Sequence, residues 1–191
     1  MKSLLYGILV SSVSICAVFF CGCSLLPEPA VNVTKYYDLG IPAKTFSAEN
    51  GDITVQPFTS SSGDRYRMIS RKGNLLSGDD NNKWQMPPGS LLTKYLTLTF
   101  SRDPSVRRSG DTQNILSGNV VAFEADRGEA VLGLRYKIRK FSGKKETPEV
   151  ISKSLMLREK IKENTPESFA SAMSRAAERA AMLILKDING K

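Results

Sequence analysis

The sequence predicts an α+β fold: one domain in which two helices pack on one face of a mostly antiparallel or mixed sheet. Three observations predict it. Residues 130–141 alternate Leu132, Leu134, Tyr136 and Ile138 with Gly133, Arg135, Lys137 and Arg139, the period of a strand with one buried and one wet face. Residues 166–187 repeat apolar side chains every three or four positions, the period of a helix. Strand-like segments lie on both sides of a first, shorter helical pattern, so the order is strands, helix, strands, helix. The 191 residues suit one ordinary domain preceded by a targeting segment.

That segment comes first in the chain. Met1-Lys2-Ser3 is a short positive start, residues 4–20 are uncharged and mostly apolar, and Phe20-Cys21-Gly22-Cys23 follows. A charged start, an apolar middle and a small residue before the cut make a secretory signal. A cysteine directly after the glycine makes a lipobox, with Cys23 the lipidated residue. Phe20 and Cys21 depart from the usual Leu and small residue, and Cys16 is a poor alternative because Ile15 precedes it. An uncleaved membrane anchor stays open as a second reading, since the apolar run is nearly long enough to span. The absence of cysteine after Cys23 favours the lipid. Ser24, in place of the aspartate that signals inner-membrane retention, points to the outer membrane, facing the periplasm. The expected boundaries are a signal peptide at 1–22, a lipidated tether at 23–35 and a folded domain at 36–191. Pro27 and Pro29 stiffen the tether, and the eleven residues 25–35, extended, reach at most about 36 Å.

Within the body, residues 36–39 suit a first strand, closed by Gly40 and Pro42. Ile53 and Val55 make a second, which Pro57 confines to an edge or ends. Residues 65–70 make a third. Residues 73–82 are rich in Gly, Asp and Asn and read as turn. Leu91, Leu92, Tyr95 and Leu98 predict a helix over 90–100, with Ser90 as its cap. Residues 103–114 read as a polar loop and residues 120–124 as a strand. Asp126-Arg127-Gly128-Glu129 turns the chain into 130–141, and residues 142–148 turn it again. Residues 151–161 form the last strand, with Leu155 and Leu157 inward. Thr165-Pro166-Glu167 opens the final helix, by cap, by a residue with no amide to waste, and by charge. Phe169, Met173, Ala176, Ala180 and Ile184 form its inner stripe, and Asn189-Gly190 ends it.

Composition narrows the function. The sequence has no histidine, and its three cysteines, Cys16, Cys21 and Cys23, all lie in the first 23 residues. That argues against Ser–His–Asp and Cys–His catalysis and against a histidine- or cysteine-ligated metal in the body. No phosphate-binding glycine loop or nucleophile motif is present. Asp79, Asp80, Glu124 and Asp126 are carboxylates of a type used in acid–base chemistry, though adjacent acids in a turn usually serve the turn. The expectation is a non-enzymatic protein with no cofactor beyond the diacylglycerol and N-acyl chain on Cys23. The formal net charge is +8, which suits an acidic partner or anionic headgroups; export argues against nucleic acid. Candidate partner-binding residues are Arg135, Lys137 and Arg139, continued by Lys140, with Arg107 and Arg108 in a second basic stretch and Trp84 as a docking aromatic. For each, a solvated face or a core position is the plainer alternative.

Several segments together resemble the ABC-type transport auxiliary lipoproteins, the PqiC-like family. They are the lipobox and tether followed by Tyr36-Tyr37-Asp38-Leu39, then Arg65-Tyr66-Arg67-Met68, then Trp84-Gln85-Met86-Pro87-Pro88-Gly89-Ser90-Leu91-Leu92 leading into the first helix, and the basic-faced strand followed by an alanine-rich terminal helix. The Trp-x-x-Pro-Pro segment is the most specific; residues 73–82 do not match. The resemblance implies an accessory to an MCE-type lipid-transport system. Its partners would be an MCE-domain protein and its inner-membrane ABC transporter, and the lipoprotein would hang from the outer membrane, with assembly into a homo-oligomeric ring. An accessory role in outer-membrane protein or lipopolysaccharide assembly is the alternative.

Overall fold

A computed structural model describes residues 33–49, 51–61, 66–101, 112–142 and 148–190. The elements are β1 (Lys35–Tyr37), β2 (Asp52–Val55), β3 (Thr59–Ser60), β4 (Arg67–Lys72), β5 (Leu75–Trp84), α1 (Pro88–Thr99), β6 (Thr112–Asp126), β7 (Glu129–Ser142), β8 (Glu149–Lys160) and α2 (Pro166–Asn189). They form one mixed eight-stranded sheet in the order β1-β5-β4-β6-β7-β8, with β2 and β3 also paired to β6. The α+β expectation holds.

The alternating segment 130–141 lies within β7, which pairs antiparallel with β6 and β8 over most of its length. Its even-numbered residues 130–138 are buried, and Arg135 and Lys137 are exposed. The turn predicted at 126–129 joins β6 to β7, with Arg127 and Gly128 at positive φ. The other side of β6 is shared along its length by three short parallel strands: β2 beside residues 113–116, β3 beside 119–120 and β4 beside 124–126. A register shift between Val120 and Ala122 keeps Val120 and Phe123 on one face of the strand despite their odd spacing.

Both helices cover the face that carries Leu116, Val120, Phe123, Leu132, Leu134 and Ile138, all buried. The inner stripe of α2 is as predicted: Phe169, Met173, Ala176, Ala180 and Ile184 are buried. Thr165 Oγ1 accepts from the Ser168 amide at 3.2 Å, Pro166 occupies the first turn, and Gly190 closes the helix at φ 72°.

Four local readings change. Of residues 73–82, expected as turn, only Gly73 and Asn74 turn; the rest lie in the strand β5. The segment is held by β4 on one side and β1 on the other, so pairing overrides its poor strand composition. β6 begins at Thr112, well before residue 120, for the same reason. α1 starts at Pro88 with Pro87 as its uncapped boundary, which leaves Ser90 inside the first turn. On that helix Leu91, Leu92 and Tyr95 are buried as predicted, but Leu98 is exposed and Leu96 takes the buried place.

Candidate docking face

The second face of the β6–β8 ladder has no helix over it. Period-two alternation puts Arg135, Lys137 and Arg139 on this face. They stand in register with Asn119, Ser117 and Ile115 on β6 and with Ser154, Ser152 and Val150 on β8. The short neighbours leave a shallow trough of about 600 Å³, lined by Ser117, Asn119, Arg135, Lys137, Ser152 and Ser154 among others. Lys140 falls on the opposite, helix-side surface, because it shares the alternation of Ile138, and it is removed from the predicted patch.

The charges on this face divide into two zones. At one end every carboxylate is matched. Arg71 reaches Glu124 with two bonds, at 2.5 and 3.0 Å, and Arg158 reaches Asp126 at 3.1 Å and Glu129 at 3.2 Å. These bonds raise the pKa of both arginines above its ordinary value. In the trough the balance differs. Arg139 donates to Gln56 Oε1 at 3.3 Å, while the side chains of Arg135 and Lys137 have no hydrogen bond or ion pair among the described residues. Positive charge therefore accumulates at one end only. Asn119 donates to Ser61 Oγ at 2.7 Å, and its Oδ1 is buried with no donor among the described residues.

The carboxylates weighed for acid–base chemistry are engaged in holding the fold. Asp79 accepts from the Asn81 and Asn82 amides and the Asn82 side chain. Burial alone would raise its pKa, but those donors outweigh burial and hold it below the ordinary carboxylate range. Asp80 pairs with Arg67 at 3.2 Å. Among the described residues no three His, Cys, Asp or Glu side chains converge in a metal-binding group, and no helix is long and apolar enough to cross a membrane.

Trp84 is fully enclosed, so it presents no ring to a partner. It stands edge-on to Phe123 at 4.9 Å and to Phe169 at 5.5 Å, tying the end of β5 to β6 and α2. Cys23, Ser24, Arg107 and Arg108 lie outside the described residues.

The sequence points to Arg135, Lys137 and Arg139 but not to the serines and Asn119 that complete the trough. Alternating small polar residues at 152 and 154 were the available signal; the cross-strand register that brings them beside the basic side chains is set by pairing.

No family model matches the chain, and no curated protein matches it at significance. Solved structures do. One, described as an uncharacterized protein, superposes with a TM-score of 0.63 at 14% identity, covering 82% of this chain and 99% of its own. Another, a Xanthomonas campestris protein described as DUF330, superposes with a TM-score of 0.61 at 13% identity, covering 80% and 93%. At these identities the likeness is one of fold, and the chain shares that fold over nearly the whole of both neighbours.

Proposed function

We propose that this chain is a PqiC-like auxiliary lipoprotein: a non-enzymatic docking component of an MCE-type ABC lipid-transport system, anchored in the outer membrane through acylated Cys23 and facing the periplasm. The lipobox and the Trp-x-x-Pro-Pro segment support the family reading, and the fold shared with the DUF330 protein agrees with it. One observation carries the docking role: an uncovered sheet face with unmatched cationic side chains, Arg135 and Lys137, beside small neutral neighbours. Such a surface suits an acidic partner, because complementary potentials steer and orient encounter. Energy for movement comes from the partner ATPase.

The test is affinity capture of the full chain from solubilised native membranes, with partners identified by mass spectrometry. Wild type should enrich an MCE-domain protein and its ATPase, and Cys23→Ala should lose membrane anchoring. Capture without either partner, or dominated by an outer-membrane β-barrel, refutes the proposal.

A further inference from the structure

β8 is an edge strand: among the described residues no strand pairs with its outer side, and only its last carbonyl, that of Lys160, is taken, by the Arg175 guanidinium of α2 at 2.7 Å. Edge strands are usually blunted by proline, bulges, brevity or charged side chains. β8 has no proline, bulge or brevity, and its charges, Glu149, Lys153, Arg158, Glu159 and Lys160, leave the open-face positions Val150, Ser152, Ser154 and Met156 neutral. It runs twelve residues, Glu149–Lys160, in unbroken register with β7.

The direction of its free backbone groups follows from pairing elsewhere. The carbonyls of Leu116 and Val120 accept from Gln56 and Ser61, on the side of β6 away from β7. Their alternates Ser117 and Asn119 therefore bond to Lys137 and Arg135, and the next residues of β7, Leu134, Tyr136 and Ile138, bond to Leu155, Lys153 and Ile151. The remaining residues of β8, Val150, Ser152, Ser154, Met156, Arg158 and Lys160, point their N–H and C=O groups outward, and of these the Lys160 carbonyl is bonded to Arg175. Their side chains lie on the open face, the same face as Arg135 and Lys137.

We propose that β8 takes up an extended acidic segment of a partner protein by strand addition, with Arg135 and Lys137 reading two carboxylates spaced two residues apart. The added strand would lie two strand spacings from β7, about 9.6 Å. An arginine or lysine and a facing glutamate bridge that span over Ser152 and Ser154, which are too short to intervene. Val150 and Met156, both more than half exposed, flank the two serines. The surface thus reads an alternating pattern: apolar, acidic, acidic, apolar. Backbone pairing supplies affinity and the alternate side chains supply selection, as in other strand-addition sites.

A second copy of this chain is a poor occupant. The carboxylates of β8, Glu149 and Glu159, alternate onto the helix side, so a copy's β8 offers no acid to Arg135 or Lys137, and both copies carry net positive charge.

The inference rests on the docking reading and specifies its mode. The test measures fluorescence anisotropy of a labelled peptide, Thr-Val-Thr-Glu-Thr-Glu-Thr-Val-Thr, with the full chain in detergent. Wild type should bind it about tenfold more tightly than the glutamine-for-glutamate peptide, the sum of two partly exposed charge pairs. An Arg135→Gln, Lys137→Gln double variant should lose that preference. Ser154→Pro removes an outward N–H without touching the β7 ladder and should abolish binding of both peptides at unchanged Tm. Should that variant fail to fold, N-methylation of alternate peptide amides tests the same pairing on wild type and should abolish binding. Equal binding of the two peptides to wild type, no binding, or full binding by Ser154→Pro overturns strand addition. So does dimerisation of wild type that Ser154→Pro removes. Retention of the MCE partner by Ser154→Pro in membrane capture overturns strand addition and leaves the docking reading standing; absence of that partner from wild type sinks the docking reading itself.

Discussion

Trp84 separates a core role from a docking role by stability alone. An aromatic side chain of this kind buries on the order of 200 Å², which at about 25 cal/mol per Å² corresponds to about 5 kcal/mol. Trp84 is fully buried and meets two further rings edge-on. Trp84→Ala should therefore cost about 4 kcal/mol once partial relaxation is allowed for. For a body of this size each kcal/mol moves Tm by roughly 2–4 °C, so the variant should melt about 8–16 °C below wild type. Trp84→Phe is the informative contrast. It keeps a ring and deletes an indole N–H that finds no acceptor among the described residues. The lost contact area and the relieved donor, each worth on the order of 1–2 kcal/mol, oppose one another, and Tm should stay within about 4 °C. The assay is thermal unfolding by circular dichroism, with partner capture in parallel. An alanine variant with wild-type Tm that loses its partner would refute the core assignment. A phenylalanine variant as damaged as the alanine one would show that the indole N–H is bonded.

Arg71→Met leaves Glu124 nearly buried without its bidentate partner and should lower the urea midpoint; adding Glu124→Leu should recover most of the loss. Burial, its hydrogen bond to Asp187 and the charge of that carboxylate raise the Tyr136 phenol, and like causes, with Glu167 as partner, push Tyr37 up to about 12. Both phenols hold their protons longer in the folded state, so stability is complete below pH about 10 and falls as pH rises beyond it; Tyr136→Phe should flatten the Tm decline between pH 10 and 12. Gly118→Ala places a methyl 2.5 Å from the Phe58 ring and 2.6 Å from the Arg135 carbonyl, and should cost about 1–3 kcal/mol by overpacking, seen as a lower Tm. Thr165→Ala removes the cap of α2 and should cost about 1 kcal/mol in the same measurement.

What the sequence made readable follows from where local chemistry and tertiary context agree. β7 alternates because one face is core and the other is wet, and α2 begins and ends on residues that satisfy free backbone groups locally. β5 was unreadable because Gly78, Asp79, Asn81 and Asn82 are turn-formers by composition. Gly78 and Asp79 pair with β4 and Asn82 with β1, while residues 80–82 bulge out of the β4 ladder, where Asp79 accepts from the Asn81 and Asn82 amides. The first half of β6 was hidden for a related reason: it carries buried Asn114, and Gly118, which makes room for the Phe58 ring. In the candidate site the basic stripe was visible, whereas the serines beside it depend on register, and the neutralised end of the face depends on pairs far apart in sequence, such as Arg71 with Glu124.

β1 contributes three residues and, among the described residues, pairs with β5 alone. Under the proposed anchoring through Cys23, a load on the anchor would enter the fold at this point, at the opposite sheet edge from β8. Tension there would be expected to peel β1 first, breaking its pairing with β5 and the bonds from Tyr37 to Asn82 and Glu167. That release pays out about 10 Å of chain and leaves the long ladder intact. Under that anchoring the short strand would act as a mechanical fuse, yielding to a pull while the far edge keeps its shape.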